Sequence, residues 1–252
     1  MFVVGRGRIG GALEQRSPTP CTVLLRGGDW GEVEATSDPI VVTTRNDDLD
    51  GVVARIPASR RPDLVLIQNG MLRPWLAERG LSEVTRGLLF FAVPSLGATP
   101  EVGGPSPFVG PRAPAVVRWL ESMRLDARAV SEREFREVEL EKLVWNSAFG
   151  LLCEACDASV GEVVDAHGDV FARLATELIE LGAASLEVEV DRATMVDSLA
   201  AYSRSIPTYR GAVKEFTWRN GWFVGLARAR GTWRGGEHHR LLAAAGKLPI
   251  GR

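Results

Sequence analysis

A lysine and an asparagine lie four residues apart in Glu141-Lys142-Leu143-Val144-Trp145-Asn146, a spacing that puts both on one face of a helix. A lysine can donate its proton to a carbonyl oxygen as that oxygen becomes an alkoxide, and an asparagine beside it can orient a substrate without competing for the proton. The stripe continues to Gly150, which as a residue without a side chain would leave open space for a substrate. The alternative is a solvated lysine paired with Glu139, three residues earlier. Residue usage bears on the choice, because of 30 basic residues only Lys142, Lys214 and Lys247 are lysines, and lysine, unlike arginine, loses its proton at accessible pH. Glu215 is read as a helical carboxylate among Phe216, Trp218, Trp222 and Phe223; if partly buried it needs a partner or a task, and otherwise it is a solvated helix residue.

A second group of residues suits an anion. Gly5-Arg6-Gly7-Arg8-Ile9-Gly10 follows the apolar Phe2–Val4 and precedes a helix-like Gly11-Ala12-Leu13. Glycines at those positions allow a tight turn, close approach of a pyrophosphate and close packing of helix on strand, with the helix N-terminus facing the phosphates. About 20 residues on, where an acidic residue would bind a ribose 2′-hydroxyl, the second strand ends in Leu25-Arg26, and a guanidinium there suits a 2′-phosphate, the alternative being a solvated residue at a strand end. Arg6 and Arg8 add positive charge near the same phosphates. Cys153-x-x-Cys156 has no second pair or nearby histidine to complete a metal site, so packing is its expected use, and no metal is expected. His238-His239-Arg240 is read as a solvated helix start.

These residues need elements to hold them. Short apolar runs at Phe2–Val4, Thr22–Leu25, Ile40–Thr44, Leu64–Ile67 and Leu88–Ala92 read as strands covered on both faces, as in a parallel sheet, with weaker candidates at Pro107–Gly110 and Leu125–Val130. The helix after Gly10 is expected to be short, because Ser17-Pro18-Thr19-Pro20 stops it. From about Ser131 helical spacing takes over, with stretches at 169–181, 191–202 and 212–229. The expected organisation is a dinucleotide-binding Rossmann-like α/β domain over residues 1–132, then an all-helical domain over 133–252.

Composition narrows the function classes. A chain of 252 residues with 45% hydrophobic content can fill a real core, and a net charge of −2 without a basic block argues against nucleic acid or an anionic membrane as main partners. No 18-residue apolar window and no signal-like leader is visible, and three cysteines make no disulfide framework, so a soluble cytoplasmic protein is expected.

Taken in order, the segments resemble the ketopantoate reductase (2-dehydropantoate 2-reductase) family. The likeness is carried by Gly5-x-Gly7-x-x-Gly10, Val23-Leu24-Leu25-Arg26, Val41-Val42-Thr43-Thr44-Arg45, Val65-Leu66-Ile67-Gln68-Asn69-Gly70-Met71, Lys142-Leu143-Val144-Trp145-Asn146-Ser147 and Gly211-Ala212-Val213-Lys214-Glu215 with Asn220-Gly221. The resemblance implies a Rossmann domain joined to a helical domain of the 6-phosphogluconate dehydrogenase C-terminal type, NADP(H) as cofactor, and reduction of a 2-oxo acid such as ketopantoate on the way to pantothenate. It implies Lys142 as general acid, Glu215 as a catalytic and substrate-binding carboxylate, and Asn146 and Ser203 as substrate contacts. Gly5, Arg6, Gly7, Arg8, Ile9, Gly10, Arg26, Arg45 and Asn69 would bind the cofactor, and a homodimer would form through the helical domain, with Trp218, Trp222 and Phe223 offered as its interface. The chain departs from the family pattern at Gly150, Pro207 and Thr217, and is shortened after Gly10 and between Arg26 and Ile40. Those departures motivate the alternative of a nucleotide-binding or structural subunit without turnover.

Overall fold

A computed structural model describes residues 1–248, which form two compact units dividing between Phe135 and Arg136. In the first unit the elements are β1 (Phe2–Val4), α1 (Arg8–Arg16), β2 (Thr22–Leu24), β3 (Ile40–Val42), α2 (Leu49–Arg55), β4 (Leu64–Leu66), α3 (Arg73–Glu78), β5 (Thr85–Gly87), β6 (Phe91–Ala92), β7 (Glu101–Val102), β8 (Ser106–Val109), α4 (Ala113–Ser122) and β9 (Ala127–Ala129). Seven strands form one sheet in the order β2-β1-β3-β4-β5-β8-β9, parallel except where β5 meets β8. Their apolar runs are buried because helices cover the sheet; Val3, Val41, Val65 and Phe108 join Trp119 and Leu120 of α4 in one core. Burying each such side chain contributes about 1.5–3 kcal/mol.

Strand order reverses at β1, which lies between β2 and β3, so the carboxyl ends of β1 and β3 flank the switch point where open α/β sheets bind ligands. Between β2 and β3 the crossover helix is replaced by a single 3₁₀ segment, Gly31–Ala35. The fifth sheet strand corrects the sequence reading. It is Thr85–Gly87 rather than Leu88–Ala92, whose last residues pair instead in a two-stranded ribbon with β7. Arg86, buried with its guanidinium 5.6 Å from the Phe135 ring, hid the strand, because a charged residue interrupts the apolar pattern by which strands are read. Gly87 is required by its neighbour, since a Cβ there would lie 2.1 Å from the Phe108 ring.

The second unit contains most of α5 (Glu132–Cys156), then α6 (Val160–Ala166), α7 (Gly168–Leu186), α8 (Arg192–Ser205), α9 (Asn220–Ala229) and α10 (Glu237–Ala244). Leu143, Val144, Phe149 and Leu152 of α5 and Phe171, Leu174, Leu178 and Ile179 of α7 are buried at helical spacing. Ser159 and Glu162 close α6 with a capping box, and the Asp191 carboxylate accepts from Thr194 N at 2.7 Å to start α8. The expected helix over 212–229 is corrected: residues up to Glu215 are non-helical, Phe216–Trp218 make one 3₁₀ turn, and α9 begins only at Asn220. His238 is also corrected, from a solvated helix start to a fully buried ring whose Nε2 lies 2.8 Å from Asn220 Oδ1. Phe223 has no exposed surface and belongs to the core rather than to an interface.

Candidate active site

The glycine turn after β1 is built as its spacing predicts. Gly5 holds φ +94°, a conformation that favours glycine, and a Cβ at Gly10 would lie 2.1 Å from Gly5 O, so α1 packs directly on the turn. At Gly7 a Cβ would meet nothing within 4 Å. That glycine opens on free space at the start of α1, where no side chain caps the helix and no acidic residue occupies the first turn. Backbone N–H groups at such an end are suited to a phosphate.

Beside the turn lies a cavity of about 490 Å³ lined by Gly5, Arg6, Leu24, Arg26, Trp30, Asp48 and Arg55, among others. Arg26 is exposed and pairs with Asp48 at 2.6 Å across this cavity. The loop that carries it is held from below: Arg55 donates to Arg26 O and, at 2.7 Å, to Gly28 O, while its guanidinium stacks 4.1 Å from the Trp30 ring. Trp30 Nε1 donates to Leu25 O at 2.8 Å. Arg6 is tied to Glu14 at 2.7 Å, and Arg8 donates to Pro94 O at 3.2 Å. Ile9 is half-buried in the first turn of α1, and Arg45 is exposed just after β3. Asn69 follows β4, and its carbonyl accepts from Asn46 Nδ2 at 2.9 Å.

In the helical unit the sequence-predicted residues are drawn together around one that the sequence reading missed. Asn146 Nδ2 donates to Lys142 O at 2.8 Å, one turn back on α5. Its Oδ1 accepts from Arg219 Nη1 at 3.3 Å, and Arg219 Nη2 donates to Glu215 at 2.6 Å. Arg219 is only 9% exposed. Its sequence signal was the Glu215–Arg219 spacing of four, but the helix expected there is absent and the pair forms across a 3₁₀ turn instead. Lys142 is half-buried as a residue, and burial, reinforced by the positive charge of Arg219, pulls its ammonium down to about 7.

Glu215 is positioned by the connection from α8. Val160 N donates to Tyr209 O at 2.9 Å, Gly161 N to Pro207 O at 3.1 Å, and Val213 N to Glu154 Oε1 at 2.9 Å. At Gly150 a Cβ would lie 2.7 Å from Ala212 O, so this glycine does not leave open space for a substrate; the connection occupies it. Pro207 likewise packs on Gly161, where a Cβ would lie 2.8 Å from the proline ring. Ser203 departs from its expected role too. It has no exposed surface, and its hydroxyl accepts from Trp145 Nε1 at 3.0 Å while donating to Leu199 O at 2.9 Å, so in this arrangement it supports the tryptophan and is closed to a substrate. Among the described residues no cluster of His, Cys, Asp or Glu could hold a metal ion, and Cys153 and Cys156 are free thiols. No helix among them is long and apolar enough to cross a membrane.

Solved structures share this architecture over their whole length. A 2-dehydropantoate 2-reductase from Methylococcus capsulatus superimposes with a TM-score of 0.73 at 18% identity, covering 97% of this chain and 94% of that one. A dimeric ketopantoate reductase from Staphylococcus aureus gives 0.70 at 13% identity, covering 97% and 98%. A D-mandelate dehydrogenase in a ternary structure with NADH and anilino(oxo)acetate gives 0.68 at 13% identity, covering 98% and 97%. No protein-family model and no curated protein sequence matches the chain. At these identities the likeness establishes the fold, a parallel-rich Rossmann-type sheet followed by a helical region.

Proposed function

We propose that the protein is an NADPH-dependent reductase of a 2-oxo acid, ketopantoate or a related carbonyl compound, with Lys142 as the general acid. The observation that carries the proposal is the lysine itself: an ammonium brought to about 7 by burial and by Arg219, grouped with Asn146 and Glu215 in a chain that also builds a dinucleotide-type glycine turn. The known proteins of similar fold, reductases and a dehydrogenase bound to NADH, support the same reaction class.

The chain fits a dinucleotide at the open face of Gly7 and the cavity beside it. Gly5, Gly7, Ile9 and Gly10 would cradle the pyrophosphate by backbone groups, Arg6 and Arg8 would flank it, Arg26 would take a 2′-phosphate, and Arg45 and Asn69 would line the rest of the cofactor. When bound, a reduced nicotinamide supplies a hydride to the carbonyl carbon. Lys142 hydrogen-bonds the carbonyl oxygen and passes its proton to that oxygen as the C=O π bond breaks, giving a 2-hydroxy acid and a neutral amine that regains a proton from solvent. An amine of pKa about 7 is poised for both halves of that exchange. Asn146 steadies the lysine's helix turn and, through Arg219, the Glu215 carboxylate. A homodimer through the helical unit belongs to the same proposal.

The test is absorbance at the reduced-nicotinamide band across a panel of 2-oxo acids, with NADPH and NADH affinities from calorimetry. The wild type should oxidise NADPH with at least one acid, and Lys142→Ala should lower kcat by roughly 10²–10⁴-fold with NADPH affinity retained. An unchanged rate removes Lys142 from the mechanism. A second reading, a nucleotide-binding protein without turnover, is favoured by the closure of Ser203 under Trp145. Tight NADPH binding with no oxidation in the panel would select it.

A further inference from the structure

The polar groups expected to meet a substrate in the helical unit are largely committed elsewhere. Ser203 is sealed beneath Trp145, Asn146 spends its amide on Lys142 O and Arg219, and Glu215 accepts from Arg219. Arg219 is different. Its Nη1 and Nη2 are bonded to Asn146 and Glu215, but its buried Nε–H has no partner. A buried donor left unmade is destabilising, the more so on a charged group, so an unspent guanidinium N–H is a place where an acceptor gains more than it would at the surface. A carboxylate oxygen matches that edge, accepting from the free Nε–H and drawn by the guanidinium charge. Glu215 already neutralises part of the charge, which suits a singly charged ligand better than a phosphate dianion. The arginine is also close enough to Lys142 for its charge to act on the ammonium.

We propose that Arg219 is the residue that anchors the substrate's carboxylate, binding it on the Nε edge of the guanidinium while Glu215 and Asn146 hold the other nitrogens. The assignment rests on the reductase reading above and adds its specificity determinant. In a 2-oxo acid the carbonyl carbon is bonded directly to the carboxylate carbon, so an anchor beside Lys142 presents the adjacent carbonyl oxygen to the proton donor. Arg219 takes over the recognition for which Ser203 is no longer available.

The experiment compares 2-oxobutanoate with its methyl ester, which differ in the charge that Arg219 reads, in the wild type, Arg219→Met and Arg219→Lys. The readout is the acid-to-ester ratio of kcat/KM, because any change in the acid strength of Lys142 affects both substrates and cancels. The ratio should fall by about 10- to 100-fold in Arg219→Met, the scale of a charged hydrogen bond. It should recover in part in Arg219→Lys, which keeps the charge opposite Glu215, and the fold with it, but not the Nε–H donor. Calorimetric titration of oxamate should show the same order of affinities without turnover. A ratio and an oxamate affinity that are unchanged in Arg219→Lys, or in an Arg219→Met that melts like the wild type, would overturn the assignment alone. A wild type that binds NADPH but reduces neither compound would overturn the reductase reading and this anchor with it.

Discussion

Lys142 illustrates how one charge is tuned by its neighbours. Burial is the larger cause of its lowered pKa and the Arg219 guanidinium the smaller, and both act by disfavouring the ammonium. A general acid must carry its proton, and the protonated fraction falls as pH rises through about 7. In the reductase reading kcat/KM should therefore decline above about pH 7, well below the ordinary lysine value of 10.5. Removing the positive neighbour in Arg219→Met should move that decline to higher pH, while burial keeps it short of the ordinary value. A pH–rate profile of the two proteins with the methyl ester, which avoids the carboxylate contact, checks both the position and the sign.

Elements place these side chains through close backbone packing more than through side-chain bonds. The connection from α8 to α9 runs against α5 because Gly150 and Gly211 allow it: a Cβ at Gly211 would sit 2.8 Å from Phe149 O. Asn220, the first residue of α9, is then fixed from the far side by His238 of α10, whose ring has no exposed surface. Burial first, then the charge of His239, pushes His238 down to about 3. Between the ordinary 6.5 and about 3 the unfolded chain binds a proton that the folded chain refuses, so stability is lost as pH falls through that window. Urea midpoints measured from pH 7 to pH 4 should fall more steeply in the wild type than in His238→Gln, carboxylate titration being common to both. Equal slopes would mean that the ring takes up its proton without loss of fold.

At the scale of the whole molecule, the reductase reading assigns the dinucleotide to the sheet unit, with its glycine turn and adjoining cavity, and the proton donor to the helical unit. Ligand linkage tests the first of these directly. NADPH at 100 times its Kd adds about 2.7 kcal/mol to the state that binds it, enough to raise the melting temperature by several degrees. With Arg26 reading the 2′-phosphate, Arg26→Ala should shrink the NADPH-induced shift in scanning calorimetry and leave the NADH-induced shift unchanged. Equal losses for both cofactors would place Arg26 outside 2′-phosphate recognition.

Much of this was legible from local pattern. The glycine turn, the apolar runs of β1 to β4, the helical spacing of α5 and α7, and the pairing of Lys142 with Asn146 on one face are all written within a few residues, where backbone sterics and periodicity operate. What the fold alone decided depends on residues distant in sequence. Arg55 supports the Arg26 loop from 29 positions away, Trp145 closes Ser203 from 58, and Arg219 reaches Asn146 across 73. Whether a glycine is open, as at Gly7, or filled by another backbone, as at Gly150, follows from what packs against it. Burial, hydrogen-bond satisfaction and the pKa of a lysine are properties of the assembled surroundings, and no short window of sequence contains them.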